Sequence, residues 1–84
     1  MDYDFDPAKD EANVEARGLR LGDCAGFDAE PTLVEDERVD YGEARFRACG
    51  RIGGKGYCLV YTEREVPRLI SFRRAHEKEM RRYA

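Results

Sequence analysis

The chain is poor in the features that mark several common protein classes. No apolar run approaches the roughly 18 residues needed to cross a bilayer, and the acidic start, Met1-Asp2-Tyr3-Asp4, lacks the basic and apolar regions of a secretory signal. A soluble, cytoplasmic protein with no membrane partner is therefore expected. The three cysteines, Cys24, Cys49 and Cys58, are odd in number and lack the paired spacing of a zinc site or redox motif. They read as buried or half-buried thiols, and no metal or cofactor is expected. No internal repeat or low-complexity segment is present. The glycine-rich stretch from Gly50 to Gly56 lacks the Walker spacing and has no strand–helix–strand unit around it, which argues against a phosphate-cradling loop.

What is present is charge, unevenly placed. Residues 1–43 carry 4 Lys/Arg against 14 Asp/Glu, whereas residues 44–84 carry 11 against 4, so the halves contribute −10 and +7 to the net −3. This asymmetry points to a basic face for a polyanion and an acidic face for solubility or a basic partner; the plainer alternative is that the halves neutralise each other across the fold. With 84 residues, one domain spanning 1–84 and one small core are expected, stabilised in part by a partner.

Residues 57–64 and 68–75 are rich in aromatic and β-branched side chains and are separated by Glu65-Val66-Pro67, so they read as adjacent antiparallel strands. Residues 32–36 and 45–49 supply two more, with Gly50 to Gly56 as a flexible connection. Tyr3-Asp4-Phe5 suggests a short edge strand. Asp6-Pro7 predicts a capped helix start and Gly18 its end, with Ala8, Ala12 and Val14 or Ala16 as a weak apolar stripe. Residues 19–27 suggest a second helix, and residues 75–83 a third in which His76, Glu79, Met80 and Tyr83 share a face. The fold class is α+β: a four-stranded antiparallel sheet with two N-terminal helices and a short C-terminal helix.

Taken together, Phe5-Asp6-Pro7-Ala8-Lys9, Asn13 with Gly18, Asp40-Tyr41-Gly42-Glu43-x-Arg45, Val60-Tyr61-Thr62-Glu63-Arg64 and Arg68-x-Ile70-Ser71-x-Arg73-Arg74-Ala75 resemble the BrnT family, in matching order from Phe5 to Tyr83. The resemblance implies a RelE-like toxin of a type II toxin–antitoxin module. It would be a metal-independent endoribonuclease that blocks translation and is held inactive by a BrnA-type antitoxin. That partner would carry a ribbon-helix-helix region, assemble with the toxin as a heterotetramer and supply the only contact with DNA. A degenerate member that merely holds the antitoxin in an autoregulatory complex is the alternative.

Metal-free RNA cleavage needs cations around a pentacoordinate phosphate and a group that takes the 2′-hydroxyl proton. Arginine meets the first need with a planar, permanently charged fork. On that ground, and from the family's final strand, Arg68, Arg73 and Arg74 are assigned to phosphate stabilisation, with Glu63 and Glu79 as candidate bases. Arg45, Arg64, Tyr41 and Lys78 are assigned to RNA binding, although Tyr41 reads more readily as a loop anchor. His76, the one histidine, stands where the family has threonine or serine and reads as a helix-start residue before a catalyst. Phe72, where the family tends to have alanine, is expected to reshape the neighbouring cleft.

Overall fold

The computed structural model describes residues 3–24, 26–35, 44–63 and 65–82. In chain order the elements are β1 (Asp4–Phe5), α1 (Pro7–Arg17), a one-turn 3-10 helix (Leu21–Asp23), β2 (Thr32–Glu35), β3 (Arg45–Ile52), β4 (Lys55–Thr62), β5 (Arg68–Arg74) and α2 (Glu77–Met80). The sheet has five strands in the order β1-β5-β4-β3-β2. β1 runs parallel to β5, and the remaining neighbours are antiparallel. The sheet is thus five-stranded and mixed where four antiparallel strands were expected, because the chain's start returns alongside its last strand.

Local chemistry accounts for α1. The Asp6 carboxylate accepts the Ala8 N–H at 2.9 Å, and Pro7 takes the first helical position. Gly18, at φ 71°, donates its N–H to Val14 O at 2.8 Å and ends the helix in the left-handed conformation that glycine accepts without strain. The expected alanine stripe does not dock this helix. Ala8 and Ala12 are exposed, and the buried positions are Asp10 and Asn13. The Asp10 carboxylate accepts the Leu21 N–H at 2.8 Å and the Arg20 guanidinium at 3.0 Å, an arrangement that raises the Arg20 pKa. Asn13 donates to Leu19 O at 2.7 Å and Phe72 O at 2.9 Å and accepts the Phe72 N–H at 3.1 Å. Its amide therefore pairs the outer edge of β5 beyond the point where β1 ends.

The expected second helix reduces to the single 3-10 turn. Gly26, at φ 105°, lies in a backbone region closed to a helix, while Leu21 alone is driven fully into the core. The glycine connection is shorter than expected. β3 continues to Ile52 and β4 starts at Lys55, so only Gly53 and Gly54 turn, both with the positive φ of a two-residue hairpin. Asp28 accepts both of their N–H groups at 3.0 Å, which holds its carboxyl below the usual range, Gly54 contributing most. The C-terminal helix begins later than expected, because Ala75 still pairs with Gly56 O at 2.9 Å and His76 is extended as the residue before the helix.

One bulge sets the faces of β5. Val60 opposes Ser71 while Tyr61 opposes Leu69, leaving Ile70 as the extra residue. Leu69 and Phe72, three apart, therefore share the face that packs with Leu21 and Leu59 under α1 and the 3-10 turn, joined by Tyr57 and Tyr61. Tyr61, expected in the core, stacks on Phe46 at 6.0 Å, and burial followed by the nearby Glu63 charge raises its pKa. The other face carries a smaller cluster of Cys49, Cys58, Ala75 and Met80 beneath α2. Cys49 and Cys58 are directly opposed and disulfide-bonded, a pairing that spacing of nine residues did not suggest; Cys24 is free.

Candidate active site

Strand alternation and the bulge together sort Arg45, Arg47, Arg68 and Arg73 onto the face that α2 covers at one end. Three cross-strand rows result. Arg45, Thr62, Arg68 and Asp4 form the first; Val34, Arg47, Val60 and Ser71 the second; and Thr32, Cys49, Cys58 and Arg73 the third. The third row lies at the edge of α2. There Arg73 meets Glu79, with Nη1 to Oε1 at 2.9 Å and Nη2 to Oε2 at 3.2 Å. The two side chains are 25% and 28% exposed, so the pair is sheltered yet open to solvent along one side. Cys58 Sγ, which as a disulfide sulfur has no hydrogen to donate, packs 3.3 Å from Glu79 Oε1.

This pair places a proton acceptor beside a permanent cation. With Arg74 O at 3.3 Å as its one further contact, Arg73 uses three of the five N–H donors of a guanidinium, leaving donors for another anion. Gly56 makes the arrangement possible. A Cβ there would stand 2.5 Å from Met80 Cγ and 3.0 Å from Ala75 O, so any side chain would lift α2 off the sheet. An exposed pair, Arg51 with Glu77, ties α2 down further, both oxygens at 2.9 Å; that hydrogen bonding lowers the Glu77 pKa and raises that of Arg51.

The expected arginine cluster is divided. Arg68 opens β5 and Arg73 nearly closes it, about 16 Å apart at roughly 3.3 Å per residue. Arg68 instead pairs with Asp4 at 3.0 Å. Arg74, adjacent in sequence to Arg73, points to the opposite face, where its guanidinium lies over the Tyr57 ring at 5.1 Å and Nε donates to Gly56 O at 3.2 Å. Glu63 is exposed just past β4, at the Arg68 end, with its N–H on Ala44 O at 3.2 Å. The two candidate bases are therefore at opposite ends of the face. Arg45 is half-buried in the first row, and Lys78 is exposed on α2. Tyr41, Arg64 and Tyr83 lie outside the described residues.

His76 stands at the start of α2, as expected, exposed and without a side-chain capping bond. Phe72 does not shape the arginine face: it is 2% exposed on the other side of the sheet, stacked on Tyr57 at 5.2 Å. Arg47 was missed as a site residue. Its signal was the Arg45-x-Arg47 alternation, which places both side chains on one face of a strand. Among the described residues, no three or more His, Cys, Asp or Glu side chains are grouped to hold a metal ion, and no helix is long and apolar enough to cross a membrane. Among the described residues, Asp4–Arg68 is an ion pair that joins the acidic and basic halves.

No curated protein and no solved structure matches the chain. A family model described as the ribonuclease toxin BrnT of type II toxin–antitoxin systems matches residues 5–79, which contain β2 to β5, α1 and the Arg73–Glu79 pair. The chain therefore belongs to the BrnT family of ribonuclease toxins.

Proposed function

We propose that the protein is a metal-independent endoribonuclease whose reaction centre is Arg73 with Glu79, and that RNA lies along the arginine-bearing face of the sheet. The observation that carries this reading is the 2.9 Å Arg73–Glu79 pair, half-sheltered at the edge of α2. Glu79 would take the proton of a 2′-hydroxyl as its oxygen attacks the adjacent phosphorus. Arg73 would stabilise the charge that gathers on the phosphoryl oxygens of the pentacoordinate state. The bond to the 5′-oxygen then breaks, that oxygen takes a proton from water, and the hydroxide left takes back the proton held by Glu79, leaving 2′,3′-cyclic phosphate and 5′-hydroxyl ends.

Arg45 and Arg68, in the first row, supply a remote positive field for the strand, and Lys78 adds charge beside α2. Arg74 contributes from the opposite face and Glu63 from the Arg68 end, so neither touches the reacting phosphate. Tyr41 and Arg64 are proposed as further RNA contacts on their sequence matches alone. The antitoxin is proposed to be a BrnA-type, ribbon-helix-helix protein that forms a heterotetramer with the toxin in the cytoplasm and carries the contact with DNA.

The test is purified protein with a single-stranded RNA substrate in chelator. Wild type should yield cyclic phosphate ends and Glu79→Gln should slow the reaction at least a hundredfold. Equal rates for the two would remove Glu79 from the chemistry.

A further inference from the structure

We infer that Arg47 is a binding site for a second phosphodiester of the RNA, next to the one that reacts; this rests on the ribonuclease reading above for its ligand. The starting observation is an imbalance among the half-buried and paired arginines. Arg20, Arg51, Arg68 and Arg73 each have a carboxylate partner at 2.9–3.0 Å. Arg47 has none among the described residues, and its Nε is buried without a hydrogen-bond partner. A cation held against the sheet with a donor unsatisfied is costly to keep, and an anion that arrives from solution relieves that cost.

The surroundings of Arg47 suit a phosphate. In its row the neighbours are Val34 on one side and Val60 on the other, so an ion contact there forms over an apolar floor with little competing water. Ser71, next across β4, puts a hydroxyl in the same row. Among the described residues no carboxylate belongs to this row, whereas the rows on either side contain or adjoin Asp4 and Glu79.

Spacing decides which phosphate it is. Arg47 is two residues from Cys49, which lies in the row of Arg73, so it stands about 6.7 Å along the strands from Arg73 and, with β4 between them, about 9.6 Å across. Long arginine side chains on either side of β4 span that gap, so their forks reach phosphates one nucleotide apart in an extended single strand. A strand whose scissile phosphate sits at Arg73 thus places its neighbour over Val60 within reach of the Arg47 fork. Arg45 and Arg68 stand one row further along. The face is a track of three cationic rows, and Arg47 is its middle contact.

The experiment is equilibrium binding of a labelled, 2′-O-methyl RNA oligomer, which cannot be cleaved by internal attack, to wild type, Arg47→Gln and Arg47→Lys across a salt series. Losing one phosphate contact should weaken binding about tenfold and lower the slope of log K against log salt by about 0.7, with Arg47→Lys recovering most of both. Thermal melting of Arg47→Gln should match or exceed wild type, since an unpaired cation is removed. Unchanged affinity and slope in Arg47→Gln would overturn the site while leaving the ribonuclease reading intact. Weakened binding in Arg47→Gln, together with wild type that binds but cannot cleave unmodified RNA, would support the site and defeat the ribonuclease reading. Wild type that binds no RNA would overturn both.

Discussion

Replacing Asn13 by alanine removes the amide that joins α1 to β5. The side chain makes three hydrogen bonds, to Leu19 O, Phe72 O and Phe72 N–H, at 2.7, 2.9 and 3.1 Å, and Asn13 is 7% exposed. Each such bond contributes about 1 kcal/mol net, and each buried group left without a partner adds to the loss, so Asn13→Ala should destabilise the fold by about 3–4 kcal/mol. For a domain of this size that corresponds to a fall in Tm of roughly 12–32 °C. Calorimetry or urea titration followed by far-UV circular dichroism measures it directly. Asn13→Asp should also destabilise, since a carboxylate cannot donate to the two carbonyls. A loss below about 1 kcal/mol for Asn13→Ala would show that water replaces the amide and that α1 is held by something else.

Gly56→Ala should cost about 1–3 kcal/mol through overpacking against Met80 and, by displacing α2 and Glu79, reduce RNA cleavage more than its effect on stability explains; unfolding and single-turnover kinetics on one preparation compare the two. The depressed pKa of Asp28 contributes stability above the ordinary carboxylate range that is lost as the pH falls through and below it, so the Tm difference between wild type and Asp28→Asn should shrink on acidification from pH 6 to pH 3. Reduction of the Cys49–Cys58 disulfide, which closes a short loop of separation 9, should lower stability by about 2–3 kcal/mol in denaturant titrations with and without a dithiol. Native maleimide labelling should reach Cys24 alone, because Cys49 and Cys58 are joined in a disulfide and have no free thiol.

Features set by a few neighbouring residues were legible in the chain. Asp6, Pro7 and Gly18 bound α1 because capping is local, and the alternation within 45–49, 57–64 and 68–75 marks three strands of the sheet. What was not legible depends on distant partners. Asn13 docks through Phe72, 59 residues away. The parallel pairing of β1 and the register that opposes Cys49 and Cys58 follow from the whole sheet, and the Ile70 bulge shows only against β4.

The candidate site draws on residue types visible in the chain, but their arrangement was less legible there. Arg68 and Arg73 look close in sequence, but an extended strand carries them to opposite ends of the face. Arg73 and Arg74 could have been separated from sequence, since neighbours on a strand point opposite ways. Arg47 was visible in the same alternation, and what the chain did not show is that its row lies next to the one that α2 borders.

The central claim is that chemistry occurs at Arg73 and not at Arg68. It is tested most directly by expressing wild type, Arg73→Ala and Arg68→Ala separately in bacteria and mapping new RNA ends as growth is followed. Wild type should arrest growth and generate 2′,3′-cyclic phosphate ends. Arg73→Ala should abolish both, and Arg68→Ala should retain the ends at reduced yield. Loss of cleavage in Arg68→Ala with full activity in Arg73→Ala, both proteins folded, would contradict the account and move the reaction centre to the Arg45 and Glu63 end of the sheet.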